Sequence, residues 1–571
     1  MTASHVYKSK VSLPDYPQNL ALMLSDNAER FASRPMYQEV QNGKYVPLTW
    51  DRFLRDVTSI QNYLISRGFE SGDRLAILSP NRQEMLELEL AVMAMGGTTV
   101  PIFAGYPSER ANALVDFCEP KFVAVADQAQ YDKLVKPERF QESIIFDAVS
   151  TLEKKCTRFW EMLSSEGTSE ISGKDISGDT VCLMMYTSGT MGKPKCVQLT
   201  HSNILSQQAA MRLLWSLTQE DRFLSYLPWH HSFGGIFEKF AAIVNSAVLS
   251  LEHGYGKNID LLLENWGQVL PTVFFSVPRI YQEMATRIMQ DPKIEEMIFH
   301  DNLRFVFTAA APLPKNIADL FDDHGIPVVE GWGLTETSPC CTITDPTIAR
   351  EPGVVGQPIP GVSLQLAEDG EILVRGPNVM TGYFKNEDAT KKVLTKDGWF
   401  HTGDVGEVED SGLLLISRKD RIFKLSNAEK VIPTEIENII AKDCAYLSHA
   451  YVSGNGKNYP VILLFPNKAM FLQEPDQSQL MEGCKCPKNL DQYFNCLSNC
   501  LKHWNASIEA KYARPKKAML INHELSMENE ELTPSLKLAP NVVRKVFKAQ
   551  IESLYDEDKP ISEETYVIAM E

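Results

Sequence analysis

The sequence predicts an α/β fold followed by a smaller α+β domain, and three observations support this. The chain has 571 residues, too many for one hydrophobic core, so two or more domains are expected. From Asp73 onward, apolar strand-like runs alternate with helical stretches, which is typical of a parallel sheet covered by helices. After Pro352, strands joined by Asp-Gly and Ser-Gly turns indicate antiparallel sheet.

The first strands and helices follow one another closely. "DRLAILSP", "TTVPIF" and "KFVAVAD" each have the apolar content of a buried strand. Between them, "NRQEMLELELAVMAMGG" and "SERANALVDFCE" favour helices, the first of them closed by glycine. This strand and helix order is the basis of the α/β prediction.

The later elements repeat this order and then depart from it. "RFVFTAAAP" predicts a strand, Lys315 to Asp323 a helix, and "GIPVVEGWG" a further strand. "GVSLQLAEDGEILVRG" and "GDVGEVEDSGLLLISRKD" predict antiparallel strands. The charged stretch beginning at Arg418 has the character of a linker, so we predict domains at 1–419 and 420–571.

Composition limits the classes of function. Hydrophobic residues make up 44% and charged residues 23%, as in ordinary globular proteins. The net charge of −18 argues against nucleic acid as a partner, because phosphate backbones require clustered Lys and Arg. The N-terminus lacks the apolar segment of a secretory signal, and no run of about 18 apolar residues predicts a membrane span. Eleven scattered cysteines favour reduced thiols in the cytoplasm.

One glycine-rich loop, "MMYTSGTMGKPKCVQLTH", has the composition of a phosphate site. Gly189 and Gly192 allow backbone N–H groups to converge on an anionic oxygen. The stretch does not match the usual G-x-x-x-x-G-K-[ST] pattern, because Pro194 stands where that loop would continue. The alternative is an ordinary surface loop. Hydroxyl and ammonium donors come from Thr187, Ser188, Thr190 and Lys195.

Three further stretches carry side chains suited to a nucleotide. In "EGWGLTETS", Trp332 can stack on a base, Thr335 can donate to phosphate and Glu336 can hold Mg²⁺; the alternative is an ordinary turn with a core tryptophan. Asp404, which a hairpin joins to Arg418, can accept hydrogen bonds from ribose hydroxyls. Lys537 in "ELTPSLKL" would, by itself, be taken for a surface lysine.

These four stretches, in this order, resemble the adenylate-forming superfamily of acyl-CoA synthetases, luciferases and peptide-synthetase adenylation domains. The resemblance extends from about Leu20 through Lys537. "LPWHHSF", "PTVFFSVPRIYQE" and "GKNIDLL" are most similar to the long-chain fatty acyl-CoA synthetase branch. The resemblance implies an N-terminal domain of two doubly wound α/β subdomains plus a β-barrel-like subdomain, followed by a small mobile α+β domain.

The resemblance also assigns residue roles. Lys537, Thr190 and Glu336 match catalytic positions, and Glu336 matches the Mg²⁺ ligand. His231 and Trp229 match positions lining the path of the acyl group and thiol, and Asp420 matches the hinge of the C-terminal domain. The positions implied to contact ATP or AMP are Thr187, Ser188, Gly189, Thr190, Gly192, Lys195, Ala309, Ala310, Gly331, Trp332, Gly333, Thr335, Asp404, Arg418 and Lys537.

The activity implied is ATP-dependent activation of a medium- or long-chain fatty acid, with transfer of the acyl group to CoA. ATP, Mg²⁺, CoA and the fatty acid would be the small-molecule partners. The aromatic side chains of "LSYLPWHHSFGGIFEKF" and "TVFFSVPRIY" could wall an apolar tunnel or simply form core. The alternatives left open are a carrier-protein thiol as acceptor, an aryl or other alkyl acid as substrate, a nucleotide-binding regulator without activity, and luciferase-like oxygenation.

Several features depart from the family pattern or lie outside it. Met191, Cys196 and Ala428 replace the usual threonine, glycine and glycine; the lost hydroxyl of the first removes a hydrogen bond worth about 0.5–1.5 kcal/mol. The four cysteines in "GCKCPKNLDQYFNCLSNC" could bind zinc, although their spacing favours reduced thiols in a helical insertion; they are Cys484, Cys486, Cys496 and Cys500. A cytoplasmic location is expected, while peripheral membrane contact and the choice between monomer and homodimer stay open.

Overall fold

The computed structural model divides the chain into two compact units. The first comprises Met1–Ala367, Leu373–Thr402 and Val408–Leu414, and the second comprises Glu368–Ile372, Gly403–Glu407 and Leu415–Glu571. The structure describes residues 5–147, 156–163, 167, 170–187, 195–309, 313–348, 350–351, 353–442, 444, 446–472, 487–526, 529–532, 538–556 and 566–570.

The strands, in chain order, are β1 (Val6–Lys8), β2 (Pro35–Gln41), β3 (Lys44–Thr49), β4 (Arg74–Leu78), β5 (Thr98–Ile102), β6 (Phe122–Val125), β7 (Glu142–Ile145), β8 (Cys156–Arg158), β9 (Val181–Thr187), β10 (Lys195–Thr200), β11 (Arg222–Ser225), β12 (Val248–Leu251), β13 (Val273–Ser276), β14 (Phe305–Thr308), β15 (Val328–Trp332), β16 (Thr342–Ile343), β17 (Gln357–Pro358), β18 (Ser363–Leu366), β19 (Glu371–Arg375), β20 (Gly382–Tyr383), β21 (Phe400–Glu409), β22 (Gly412–Arg418), β23 (Phe423–Lys424), β24 (Lys430–Val431), β25 (Leu447–Ser453), β26 (Val461–Pro466), β27 (Lys517–Leu520) and β28 (Val567–Ala569).

The α-helices are α1 (Leu20–Phe31), α2 (Trp50–Ser66), α3 (Gln83–Ala94), α4 (Ser108–Cys118), α5 (Gln128–Tyr131), α6 (Phe159–Met162), α7 (His201–Trp215), α8 (Lys239–Val244), α9 (Ile259–Val269), α10 (Pro278–Gln290), α11 (Pro292–Ile298), α12 (Lys315–Asp323), α13 (Glu387–Val393), α14 (Pro433–Lys442), α15 (Leu490–Ser507), α16 (Pro540–Val546) and α17 (Lys548–Ser553). A π-helical segment, Phe233–Glu238, runs directly into α8.

An eight-stranded sheet in the first unit has the order β20-β10-β9-β5-β4-β6-β7-β8. Strands β4 to β8 run parallel to their neighbours, and β5 also pairs in parallel with β9. The edge strands β10 and β20 are antiparallel. The parallel sheet expected from the apolar runs is therefore confirmed, and its buried strands explain why those runs are nearly continuous.

A nine-stranded sheet in the same unit has the order β17-β16-β15-β14-β13-β11-β12-β2-β3. Its centre is parallel from β2 through β15, and β3, β16 and β17 are antiparallel additions at the two edges. The predicted helix from Lys315 to Asp323 lies between β14 and β15 with those bounds. The parallel strands place their carboxyl ends at one edge, where ligands bind in folds of this kind.

The second unit is built on a four-stranded sheet, β25-β26-β27-β28, that mixes parallel and antiparallel pairs. Side chains of β26 alternate between two cores, as strand geometry requires. Ile462 and Leu464 pack in the cluster that includes α14 and α15, whereas Leu463 and Phe465 pack in the cluster with α16 and α17. The second unit is therefore α+β, as predicted.

Candidate active site

A tight turn follows β15 and carries the predicted metal ligand. Strand β15 ends at Trp332, and a single 3₁₀ turn, Thr335–Thr337, follows. A Cβ at Gly333 would lie 1.7 Å from the Pro339 carbonyl oxygen, so only glycine allows this close approach. The Thr337 hydroxyl accepts a hydrogen bond from the Leu334 backbone N–H at 3.0 Å. The turn thus holds Glu336 at the carboxyl end of β15.

Two buried amide side chains support this turn from behind. Gln207 Nε2, on α7, donates to the Thr337 and Cys340 carbonyl oxygens at 3.3 and 3.0 Å. Asn378 Nδ2 donates to the same two oxygens at 3.0 and 3.1 Å. The sequence analysis missed both residues, because a contact between distant segments leaves no signal in the local sequence.

Glu336 and the predicted phosphate-binding lysine share one tyrosine. The Tyr383 hydroxyl donates to Glu336 Oε1 at 2.8 Å, and Lys195 Nζ lies 4.7 Å from the centroid of the Tyr383 ring. A nearly buried carboxylate whose one oxygen is held by a hydroxyl group suits a hard divalent cation such as Mg²⁺.

The two ends of the predicted phosphate loop face each other across a strand pair. Thr187 ends β9 and Lys195 begins β10, and they are direct partners in the antiparallel register. Cys196, which replaces a usual glycine, is buried in β10. The remaining loop predictions lie outside the described residues, and so does the Met191 substitution; they are Ser188, Gly189, Thr190 and Gly192.

The predicted adenine-binding residues come from neighbouring parallel strands. Ala309 directly follows β14, and Gly331 and Trp332 end β15, which pairs with β14. Gly331 and Trp332 also pair with β16. Trp332 is only 7% exposed. Stacking on adenine stays a prediction, and Ala310 lies outside the described residues.

The histidine stretch contacts the Glu336 turn through hydroxyl groups. Ser232 Oγ and Thr335 Oγ1 are 3.0 Å apart. His231 Nδ1 accepts a hydrogen bond from the Phe233 backbone N–H at 3.3 Å. Burial, and then the adjacent His231, lowers the pKa of His230 to about 3, so His230 is neutral at physiological pH. These contacts bring His231 and Thr335 into one region of the first unit.

Trp229 lies in a different environment from its neighbour His231. It has no exposed surface, and its backbone N–H donates to Asn81 Oδ1 at 2.8 Å. Its ring lies 5.3 Å from Lys239 Nζ, which forms a buried ion pair with Glu89 at 2.5 Å. A Cβ at Gly235 would lie 1.9 Å from the Trp229 carbonyl oxygen. The predicted role of Trp229 in lining a substrate path stays untested.

In the second unit, the predicted ribose pair forms a salt bridge. Arg418 Nη1 lies 2.9 Å from Asp404 Oδ1. The predicted hinge residue, Asp420, lies 3.9 Å from Arg418 Nε and has a partly exposed side chain. A backbone hydrogen bond joins the residues next to this pair: the Lys419 N–H donates to the Gly403 carbonyl oxygen at 2.7 Å. The hinge function and the boundary at 419/420 stay predictions.

Lys537 lies outside the described residues, but the chain on both sides of it is described. Leu532 and Leu538 form an antiparallel bridge, and the Ala539 backbone N–H donates to the Glu531 carbonyl at 2.8 Å. The buried Glu531 carboxylate contacts His523 Nε2 at 2.7 Å. These contacts join the described residues on the two sides of the predicted lysine.

The cysteine cluster is described only in part. Cys496 and Cys500 lie on α15, as the helical spacing predicted. Cys484 and Cys486 lie outside the described residues. Within the part of the chain that the structure describes, no group of three or more His, Cys, Asp or Glu side chains could hold a metal ion. No helix in that part is both long and apolar enough to cross a membrane.

Comparison with known proteins finds two matching family patterns. The sequence pattern of the AMP-binding enzyme family matches residues 24–384, and that of the AMP-binding enzyme C-terminal domain matches residues 420–559. A Humulus lupulus protein named Probable CoA ligase CCL6 is 26% identical over 98% of this chain and 97% of its own. Long-chain-fatty-acid–CoA ligase FadD15 of Mycobacterium bovis is 25% identical over 95% and 97%.

A solved structure supports the fold independently. O-succinylbenzoate coenzyme A synthetase (MenE) of Bacillus subtilis, in complex with ATP and magnesium ion, superposes with a TM-score of 0.71. It is 21% identical and covers 91% of this chain and 98% of its own. The family pattern spans most of the chain and includes Lys195, Glu336 and Tyr383, so this protein belongs to the AMP-binding enzyme family.

Proposed function

We propose that this protein activates a medium- or long-chain fatty acid with ATP and transfers the acyl group to CoA. The observation that carries the proposal is the contact of Glu336 and Lys195 with one tyrosine at the carboxyl ends of the strands. A carboxylate that can bind a metal ion, together with a nearby ammonium group that can bind phosphate, suits a metal-bound polyphosphate. The relatives named as CoA ligases match this chain over nearly its whole length.

In the first step, a carboxylate oxygen of the fatty acid attacks the α-phosphorus of ATP. The bond from that phosphorus to the bridging oxygen breaks, and pyrophosphate leaves with the bonding electrons. The product is an acyl-adenylate. In the second step, the sulfur of CoA attacks the acyl carbon, the bond from that carbon to the AMP oxygen breaks, and the thiol proton is released to solvent.

The residues of this chain have separate parts in these steps. Lys195 and the loop it closes would bind the β- and γ-phosphates. Glu336 would hold Mg²⁺, which when bound offsets the charge of the polyphosphate. Asp404 and Arg418 would bind the ribose. Lys537 would contact the carboxylate and the α-phosphate, where removal of such a charge costs on the order of 10²–10³ in rate.

The substrate is proposed to be a fatty acid because of the names of the relatives. The packing of the aromatic side chains does not add support for this choice. Phe237, Phe275 and Phe307 contact one another at 4.9–5.4 Å between ring centroids. These three side chains are almost fully buried, and their packing does not distinguish one class of acid from another. An aryl acid or another alkyl acid, and a carrier-protein thiol as acceptor, are therefore the outcomes that a test must separate. The proposal includes a cytoplasmic location.

The test is AMP and pyrophosphate release from ATP with a series of saturated fatty acids, an aryl acid for comparison, and CoA present or absent. We expect release that depends on a fatty acid, with acyl-CoA identified by mass spectrometry. Acyl-AMP that accumulates and is not transferred to CoA would favour a carrier-protein acceptor. AMP release with the aryl acid alone would contradict the fatty-acid assignment.

A further inference from the structure

Tyr383 contacts two opposite charges through different parts of one side chain. Its hydroxyl donates to Glu336 Oε1 at 2.8 Å, and its ring faces Lys195 Nζ at 4.7 Å. The three residues come from separate stretches of sequence, and Tyr383 and Glu336 are 47 positions apart. Lys195 and Glu336 are assigned here to the polyphosphate and its metal, whereas Tyr383 has no assigned part.

The ring of Tyr383 is held firmly in this position. It is only 4% exposed, and it lies on β20, where its Cα is paired with Val197 of β10. Its backbone N–H donates to Thr390 Oγ1 at 2.9 Å. The hydroxyl carries a single proton, so donation to Oε1 fixes the orientation of the Glu336 carboxylate. A rigid aromatic side chain of this kind costs little entropy to hold in place.

The partner groups are also held by the fold. The Met380 backbone N–H donates to the Glu336 carbonyl at 2.9 Å, which ties the Glu336 turn to the segment leading into β20. Lys195 begins β10, the strand that pairs with β20. The face of an aromatic ring attracts an ammonium group and limits the positions that a long lysine side chain adopts. The two charges are therefore held in place by contacts within the fold.

We propose that Tyr383 is a positioning residue for the ATP and Mg²⁺ site. Its hydroxyl holds one oxygen of Glu336 so that the other faces the metal, and its ring holds Lys195 near the phosphates. This rests on the proposed function of Glu336 and Lys195. The two parts are separable, because phenylalanine keeps the ring and removes the hydroxyl, whereas leucine removes both.

The experiment measures binding of ATP by calorimetry at a series of Mg²⁺ concentrations, with no acid present, so that no turnover is needed. For Tyr383→Phe, we expect the Mg²⁺ concentration that half-saturates ATP binding to rise about tenfold, as for loss of one hydrogen bond to a charged group. Binding at saturating Mg²⁺ should change less than about twofold. For Tyr383→Leu, we expect a further loss of about threefold at saturating Mg²⁺.

The control is Tyr63→Phe, which removes another hydroxyl from the same unit, one that lies 2.7 Å from Thr157 Oγ1. It should leave the Mg²⁺ requirement unchanged. An unchanged Mg²⁺ requirement in Tyr383→Phe would overturn the role of the hydroxyl, and unchanged or tighter ATP binding in Tyr383→Leu would overturn the role of the ring. A wild-type protein that binds no ATP would contradict the proposed function itself.

Discussion

The support of the Glu336 turn by two amide side chains makes a quantitative prediction. Gln207 and Asn378 donate to the same two carbonyl oxygens, those of Thr337 and Cys340. Replacing either amide with leucine removes its two hydrogen bonds to these carbonyls and leaves each carbonyl with the other donor. Asn378 also loses a longer hydrogen bond, of 3.9 Å, to Cys341 Sγ. Replacing both leaves two carbonyls without either side-chain donor. The two variants should therefore be coupled in their effect on stability.

The magnitude follows from these counts. Each hydrogen bond contributes about 0.5–1.5 kcal/mol net, so each single variant should lower the free energy of unfolding by about 1–3 kcal/mol. Part of this loss is recovered, because Gln207 Oε1 and Asn378 Oδ1 have no partner among the described residues and leucine removes them. Orphaned buried carbonyls cost about 1–3 kcal/mol each, so the double variant should exceed the sum of the singles by about 2 kcal/mol.

Urea unfolding followed by tryptophan fluorescence measures this coupling, because every tryptophan except Trp504 lies in the first unit. The matched control is Gln208→Leu combined with Asn378→Leu. Gln208 is also buried on α7, but it donates to the Ile236 and Phe237 carbonyls. The control pair should be additive. Coupling below about 0.5 kcal/mol between Gln207 and Asn378 would refute the reasoning.

Three further predictions follow from other contacts. Lys239→Met should destabilise the protein by about 3–5 kcal/mol, because Glu89 is left buried without its partner. Adding Glu89→Leu should restore most of the lost stability, as measured by thermal denaturation. Burial lowers the pKa of His201 to about 4, below the value of about 6.5 in unfolded chains. Between these two pH values the unfolded state binds a proton that the folded state does not bind. The free energy of unfolding therefore falls by about 3 kcal/mol as the pH drops through this window. His201→Asn should flatten this slope in unfolding experiments at pH 7 and pH 4.5, and an unaltered slope would count against it. Asp404→Asn should raise the KM for ATP, measured from initial rates, about tenfold, because Arg418 and the ribose lose a charged partner. An unchanged KM would show that Asp404 is not part of the site.

The sequence predicted the order of elements well because that order depends on local patterns. The helix from Lys315 to Asp323 and the strands around it follow from apolar periodicity and nearby proline and glycine. The same patterns placed Trp332 at the end of a strand and Glu336 in the turn that follows it.

Contacts between distant segments could not be predicted in this way. Tyr383 belongs to a short edge strand, and nothing in its local sequence indicates that its hydroxyl reaches Glu336. Gln207 is 130 residues from Thr337 along the chain. Trp229 and His231 are close in sequence, yet the first is fully buried and the second is partly exposed, because the chain turns between them. Tertiary packing decides each of these cases.

The central claim is that this chain couples a fatty acid to CoA with formation of AMP. The most direct measurement is the stoichiometry of products from ATP, CoA and one fatty acid, separated by chromatography and identified by mass spectrometry. We predict equal amounts of AMP, pyrophosphate and acyl-CoA, with none formed when the acid is omitted. Formation of ADP and phosphate in place of AMP and pyrophosphate, or AMP release that does not depend on any acid, would contradict the account.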